Sequence, residues 1–107
     1  MNTFVTCAVV ETLESHAFEL GLALELDAPS GLVVREDPHV PGVFYLEACI
    51  EAADAQRALA LGLQTTATLT AQLGLPAEVV EVSVVGLDGA TSWLAGDPVP
   101  SSVAPPH

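Results

Sequence analysis

The chain has 107 residues, half of them hydrophobic, and sets 14 acidic side chains against two arginines and no lysine, for a formal net charge of −12. That length holds one domain around one core, and the hydrophobic fraction excludes general disorder. The charge excludes nucleic acid and anionic membrane surfaces as partners, since both are bound through basic groups that displace counterions, and the missing lysine excludes Schiff-base chemistry on a side chain.

Acidic residues interrupt every hydrophobic run short of the roughly 18 apolar residues that a spanning helix needs. The first residues carry no basic region followed by an apolar segment, so they do not read as a secretion signal and a cytoplasmic location is expected.

In chain order, Thr3 to Val10 is apolar and β-branched and continues to Glu11 without a glycine or proline, which predicts a strand buried on both faces. Thr12 is placed to cap a helix with Glu14 in its first turn. Leu13, Ala17, Leu20 and Leu24 make its apolar stripe and leave Glu14, Glu19 and Glu25 for solvent. The cluster from Asp27 to Gly31 ends this helix, and Leu32 to Glu36 follows as a short second strand.

Pro38, Pro41 and Gly42 stiffen the connection to the third strand, Val43 to Ala52. There Phe44, Leu46, Ala48 and Ile50 alternate with Tyr45, Glu47, Cys49 and Glu51, so the first set points to the core. Asp54 is positioned as the N-cap of a second helix reaching to about Leu73, with Ala55, Leu59, Gly62, Thr66, Leu69 and Leu73 as its stripe and Gly74 and Pro76 as its stop. Glu78 to Val85 is the last predicted strand, with Val80, Val82 and Val84 on one face, and Gly86, Asp88 and Gly89 close it. Residues 1–96 are expected to form the domain, and the proline-rich 97–107 a disordered tail that can serve as an extended recognition segment.

Strand, helix, strand, strand, helix, strand resembles the ferredoxin-like βαββαβ fold, over residues 3 to about 87. The resemblance implies an α+β domain with a four-stranded antiparallel sheet and two helices on one face. The chain also resembles small domains of this type from GC-rich bacteria and their phages, in keeping with its composition. In those relatives a helix-turn-helix often follows; here Pro98, Pro100, Pro105 and Pro106 occupy that place.

In such a fold the face of the sheet away from the helices carries the function. By alternation it holds Val43, Tyr45, Glu47, Cys49 and Glu51 from the third strand and Val79, Glu81, Ser83 and Val85 from the fourth. From the first strand it takes either Val5, Cys7 and Val9 or Phe4, Thr6 and Ala8. Either choice leaves an apolar strip bounded by carboxylates, the usual mark of a contact surface.

Candidate chemistry is thin. Cys7 and Cys49 invite a redox pair or soft-metal site but lack CxxC spacing, and buried thiols are the simpler reading. Glu36, Asp37 and His39 fall short of a preformed metal site, and His16 and His107 have no evident partner. Glu47, Glu51 and Glu81 are the sharpest acidic group; a solvated rim that protects the sheet is preferred to acid–base catalysis. Among relatives by fold, acylphosphatases need an arginine, ACT-type domains a glycine, after the first strand, and RNA-recognition modules need aromatic and basic residues on the central strands. None stands there.

The sequence therefore points to a non-enzymatic interaction module, regulatory or phage-encoded, that forms homo-oligomers through Val5, Cys7, Val43, Tyr45 and Val85 and engages another protein. No catalytic residue, metal ligand or cofactor is assigned. The alternative is a dimeric, barrel-like small-molecule binder or enzyme in which Tyr45, Glu47 and Glu81 orient the ligand.

Overall fold

A computed structural model describes residues 1–87 and 89–100. The expected closure at Asp88 and the end of the proline-rich tail, with Pro105, Pro106 and His107, lie outside the described residues.

Strand β1 runs Asn2–Glu11, a 3-10 turn Glu14–His16, helix α1 Ala17–Asp27, β2 Val33–Glu36, β3 Val43–Ala52, helix α2 Ala55–Leu73, β4 Glu78–Gly86 and β5 Gly89–Leu94. The protein is α+β, with one five-stranded sheet in the order β2-β3-β1-β4-β5 whose neighbours all pair antiparallel. The largely apolar β1 thus takes the centre, and the two shortest strands take the edges. At one edge the four-residue β2 carries Arg35 and Glu36, which discourages pairing with a further chain.

The fifth strand corrects the four-strand expectation. Gly86 pairs with Gly89, and Ala90, Thr91, Ser92, Trp93 and Leu94 return along β4. Trp93 sits opposite Val82 and packs against the core, and its indole N–H donates to the Asp97 carbonyl at 3.2 Å. Asp97, where the tail was expected to begin, closes the turn after β5, its carboxylate accepting from the Leu94 amide at 2.9 Å.

Alternation fixes the faces. Phe4, Thr6, Ala8 and Val10 of β1, Phe44 and Leu46 of β3, and Val82 and Val84 of β4 are buried on one side. Both helices lie there: Gly21 of α1 approaches the Phe44 ring, and Gly62 of α2 approaches Thr6 and Val82. Leu20 and Leu24 of α1 and Ala58, Leu59, Leu63 and Leu69 of α2 complete the core. Among the described residues the buried threonines are satisfied, Thr6 donating to the Ala48 carbonyl at 3.1 Å and Thr66 to that of Gly62 at 2.8 Å, whereas the buried Nδ1 of His16 has no partner.

Three sequence expectations change. β1 is buried on one face only, because the helices cover one side of the sheet. Thr12 is no helix cap; its hydroxyl donates to the Pro76 carbonyl, and Leu13 lies exposed, outside the α1 stripe. A bulge shifts β4 against β1, so that Val9 faces Glu81 while Val10 faces Val79. Val79 consequently packs against the core instead of the open face, and Val80 is the extra residue, its carbonyl taking the Ala95 amide at 2.9 Å.

Asp54 does cap α2, accepting from the Arg57 amide at 2.8 Å, and Gly74 ends it in the left-handed conformation at φ 67°. Gly42 is more demanding. Its φ is 87°, its carbonyl accepts the Thr12 amide at 2.8 Å, and an added Cβ would stand 2.4 Å from the Thr12 carbonyl oxygen. Gly31 has a similar φ of 90° with open space around it. Gly31→Ala is therefore expected to cost about 1 kcal/mol of stability, from backbone strain alone. Gly42→Ala should cost roughly 1–3 kcal/mol more as the loop shifts off Thr12; urea unfolding of the two variants measures the difference.

Candidate functional site: the open sheet face

Strand pairing lays out the uncovered face in rows. One row reads Arg35, Tyr45, Val9, Glu81 and Leu94; the next reads Val33, Glu47, Cys7, Ser83 and Ser92; a third reads Cys49, Val5, Val85 and Ala90. Val43 lies beyond the first row, opposite Glu11. All five residues of the expected contact strip, Val5, Cys7, Val43, Tyr45 and Val85, therefore share this face. Val5 is 50% and Val85 58% exposed, and they pair directly across the centre of the sheet.

The polar side of the face has an organiser that sequence reasoning passed over. Arg35, opposite Tyr45, pairs with the Glu47 carboxylate two residues further along β3, and its guanidinium lies 5.7 Å from the centre of the Tyr45 ring. The signal was available in the alternation of Val34 and Arg35 across the pleat of β2. The Tyr45 hydroxyl donates to Asp37 at 2.5 Å, and the other oxygen of that carboxylate accepts the backbone amides of His39 and Val40 at 2.8 and 3.0 Å. Asp37 thus folds the β2–β3 connection and anchors the ring.

This accounts for the residues first considered as metal ligands. Asp37 is engaged in the loop, and Glu36 accepts the Gly42 amide at 3.5 Å. Among the described residues no group of three or more His, Cys, Asp or Glu side chains is arranged to hold a metal ion. Cys7 and Cys49 are free thiols on adjacent strands and the same face, one pair apart in register. Burial pushes the Cys7 thiol pKa up, the Glu47 and Glu81 carboxylates add to this and Arg35 opposes it, which keeps the sulfur protonated and weakly nucleophilic.

Of the alternative ligand set, Tyr45 and Glu47 are joined through Arg35, while Glu81 stands beyond β1, two strands from Glu47. Adjacent strands are spaced about 4.8 Å, so these carboxylates flank the central strand and do not form a close acid–base pair. Glu51, opposite Thr3, is further along β3. The arrangement is an apolar centre with a charged margin: Val5, Cys7, Val9 and Val85 inside, Glu11, Glu47, Glu51 and Glu81 around them.

No family model, curated protein or solved structure matches the chain. Among the described residues no helix is long and apolar enough to cross a membrane.

The Tyr45–Asp37 bond has a pH signature. The hydrogen bond from the phenol holds Asp37 below the usual carboxylate range, and the same bond raises Tyr45 above its ordinary value of about 10. Asp37 therefore adds stability that is present above the unfolded carboxylate pKa and lost as pH falls through its lower folded value. Tyr45 adds stability that is present below about 10 and lost as pH rises through its higher folded value. The chain has one tyrosine, so absorbance titration reads it alone. Asp37→Asn should bring the phenol back toward its ordinary pKa, whereas an unchanged titration would show that the bond is not made.

Proposed function

We propose that the protein is a non-enzymatic, self-associating interaction module: a ferredoxin-like domain, extended by β5, whose open sheet face packs on that of a second copy. The observation that carries this reading is the half-exposed pair Val5 and Val85 at the centre of a sheet whose central strand is apolar on both faces. The ferredoxin-like assignment draws support from the element order up to β4 and from the strand order β2-β3-β1-β4 within the sheet.

Packing sheet on sheet would remove Val5, Cys7, Val9, Val43 and Val85 from water while leaving Glu11 and Glu51 towards the wet margin; Glu47 and Glu81, paired beside Cys7 and Val9, come into the contact itself. Two-fold pairing needs only one self-complementary patch, which makes it the simplest use of such a face. The Arg35–Glu47 pair neutralises one acid within the patch, and the ring of Tyr45 beside it contributes a broad contact surface. The net charge of −12 opposes association, so the dimer should tighten as salt screens it.

Light scattering after size exclusion tests the proposal. A dimer is expected at tens of micromolar (about the range for a modest apolar interface), with the monomer fraction falling as salt rises. Val5→Glu with Val85→Glu should give a folded monomer with a somewhat lower melting temperature, since the two carboxylates stand opposite each other across β1 and β4 and the dimer no longer stabilises the fold; circular dichroism shows that it is still folded. A strict monomer at every concentration and salt would defeat the proposal.

A further inference from the structure

Helix α1 is apolar on two sides, and only one of them faces the core. Ala17, Leu20 and Leu24 are buried. On the outer side Phe18, Leu22 and Leu26 recur at four-residue steps and are 81%, 49% and 75% exposed. Residues four apart lie above one another on a helix, so the three make a continuous stripe about two turns long. By the same geometry Glu19 falls on one flank of the stripe and Glu25 on the other.

The stripe adjoins a concavity. Between α1 and β2 runs a groove of about 230 Å³ bounded by Phe18, Gly21, Leu22, Val34 and Phe44, with Glu25 and Glu36 on its walls. Gly21 opens it: a Cβ there would stand 3.1 Å from the Phe44 ring. A ridge of three large apolar side chains beside a groove with an apolar floor is the form of surface that receives the apolar face of a helix.

The surrounding charge selects the occupant. Glu14, Glu19, Glu25 and Asp27 lie on this segment and Glu36 on the far wall of the groove, with no arginine or lysine among them. Both arginines of the chain are engaged elsewhere, Arg35 with Glu47 on the opposite face of the sheet and Arg57 beside Asp54, 3.9 Å away. A second copy placed here would bring like charges together around the stripe, and an anionic membrane would be repelled.

We infer that the outer face of α1, with the adjoining α1–β2 groove, is a docking site for a basic amphipathic helix of another protein. Its apolar stripe packs on Phe18, Leu22 and Leu26, and its flanking lysines or arginines meet Glu19, Glu25 and Glu36. This surface lies on the helix side of the sheet, independent of the open face, so both can be occupied at once.

The test uses the full chain and a fluorescein-labelled synthetic peptide of about four helical turns, with leucines at three- and four-residue steps and lysines elsewhere. Its counterpart carries glutamate for lysine. Anisotropy should show the lysine peptide binding and the glutamate peptide not. Phe18→Gln with Leu22→Gln and Leu26→Gln, which replaces only exposed side chains with good helix formers, should weaken the affinity about tenfold or more. Leu22→Gln alone gives the same readout on a smaller scale should the triple variant fold poorly. Glu19→Gln with Glu25→Gln should weaken binding and flatten its salt dependence, whereas Val5→Glu with Val85→Glu on the open face should leave the affinity unchanged.

Equal binding by the native chain and the glutamine variants would mean charge attraction without a site and would overturn the inference. So would loss of the protein's own dimer in the α1 variants, which would assign the stripe to a second copy.

Discussion

The sheet is organised around one constraint: its central strand has no polar side. β1 carries Phe4, Thr6, Ala8 and Val10 toward the helices and Val5, Cys7 and Val9 away from them, and a two-layer domain can clad only one of these sets. The clad side is closely packed, with Val10, Val82 and Val84 fully buried and glycines at 21 and 62 letting the helices approach. The other side is as apolar at its centre, and among the described residues nothing covers it. Carboxylates flank it, with Glu47 and Glu81 on the neighbouring strands and Glu11 and Glu51 further out, and the strip along Val5, Cys7, Val9 and Val85 between them stays apolar.

Cladding also explains the edges. β5 widens the sheet on the side that α2 covers, and Trp93 comes under the helix while Leu94 and Ser92 face the open side. At the other edge the loop closed by Asp37 fixes Tyr45, and Tyr45 with Glu47 fixes Arg35. The polar groups at the β2–β3 side of the open face are therefore bonded to one another.

Where hydrophobic period and turn chemistry agreed, the fold was legible in the sequence. β3 is bounded as its alternation indicates, and α2 begins at its aspartate cap and ends at its glycine. Where apolar residues stand side by side at both ends of a strand, the pattern loses its phase. Val79, Val80, Val82, Val84 and Val85 fit either face, so nothing in β4 announces the bulge that turns Val79 inward. Helix α1 is ambiguous for the same reason: the stripe through Leu20 and Leu24 and the stripe through Phe18, Leu22 and Leu26 are equally periodic, and only the packing decides which is buried. β5 was missed because its five residues after the glycine alternate small and polar side chains with Trp93, a weak strand signal beside a proline-rich end. The open-face residues could be placed by alternation, yet the link between Arg35 and Glu47 depends on pairing between strands, which one strand read alone does not reveal.

The central claim is that the unclad face of β1 is covered in solution by another copy. Methyl relaxation by a neutral, soluble paramagnetic agent tests this directly. At high protein concentration the methyls of Val5, Val9 and Val85 should be shielded and those of Leu87, which is fully exposed, should not; on dilution the shielding of the three valines should disappear. Relaxation of Val5, Val9 and Val85 that does not change with protein concentration, relative to Leu87, would contradict the account.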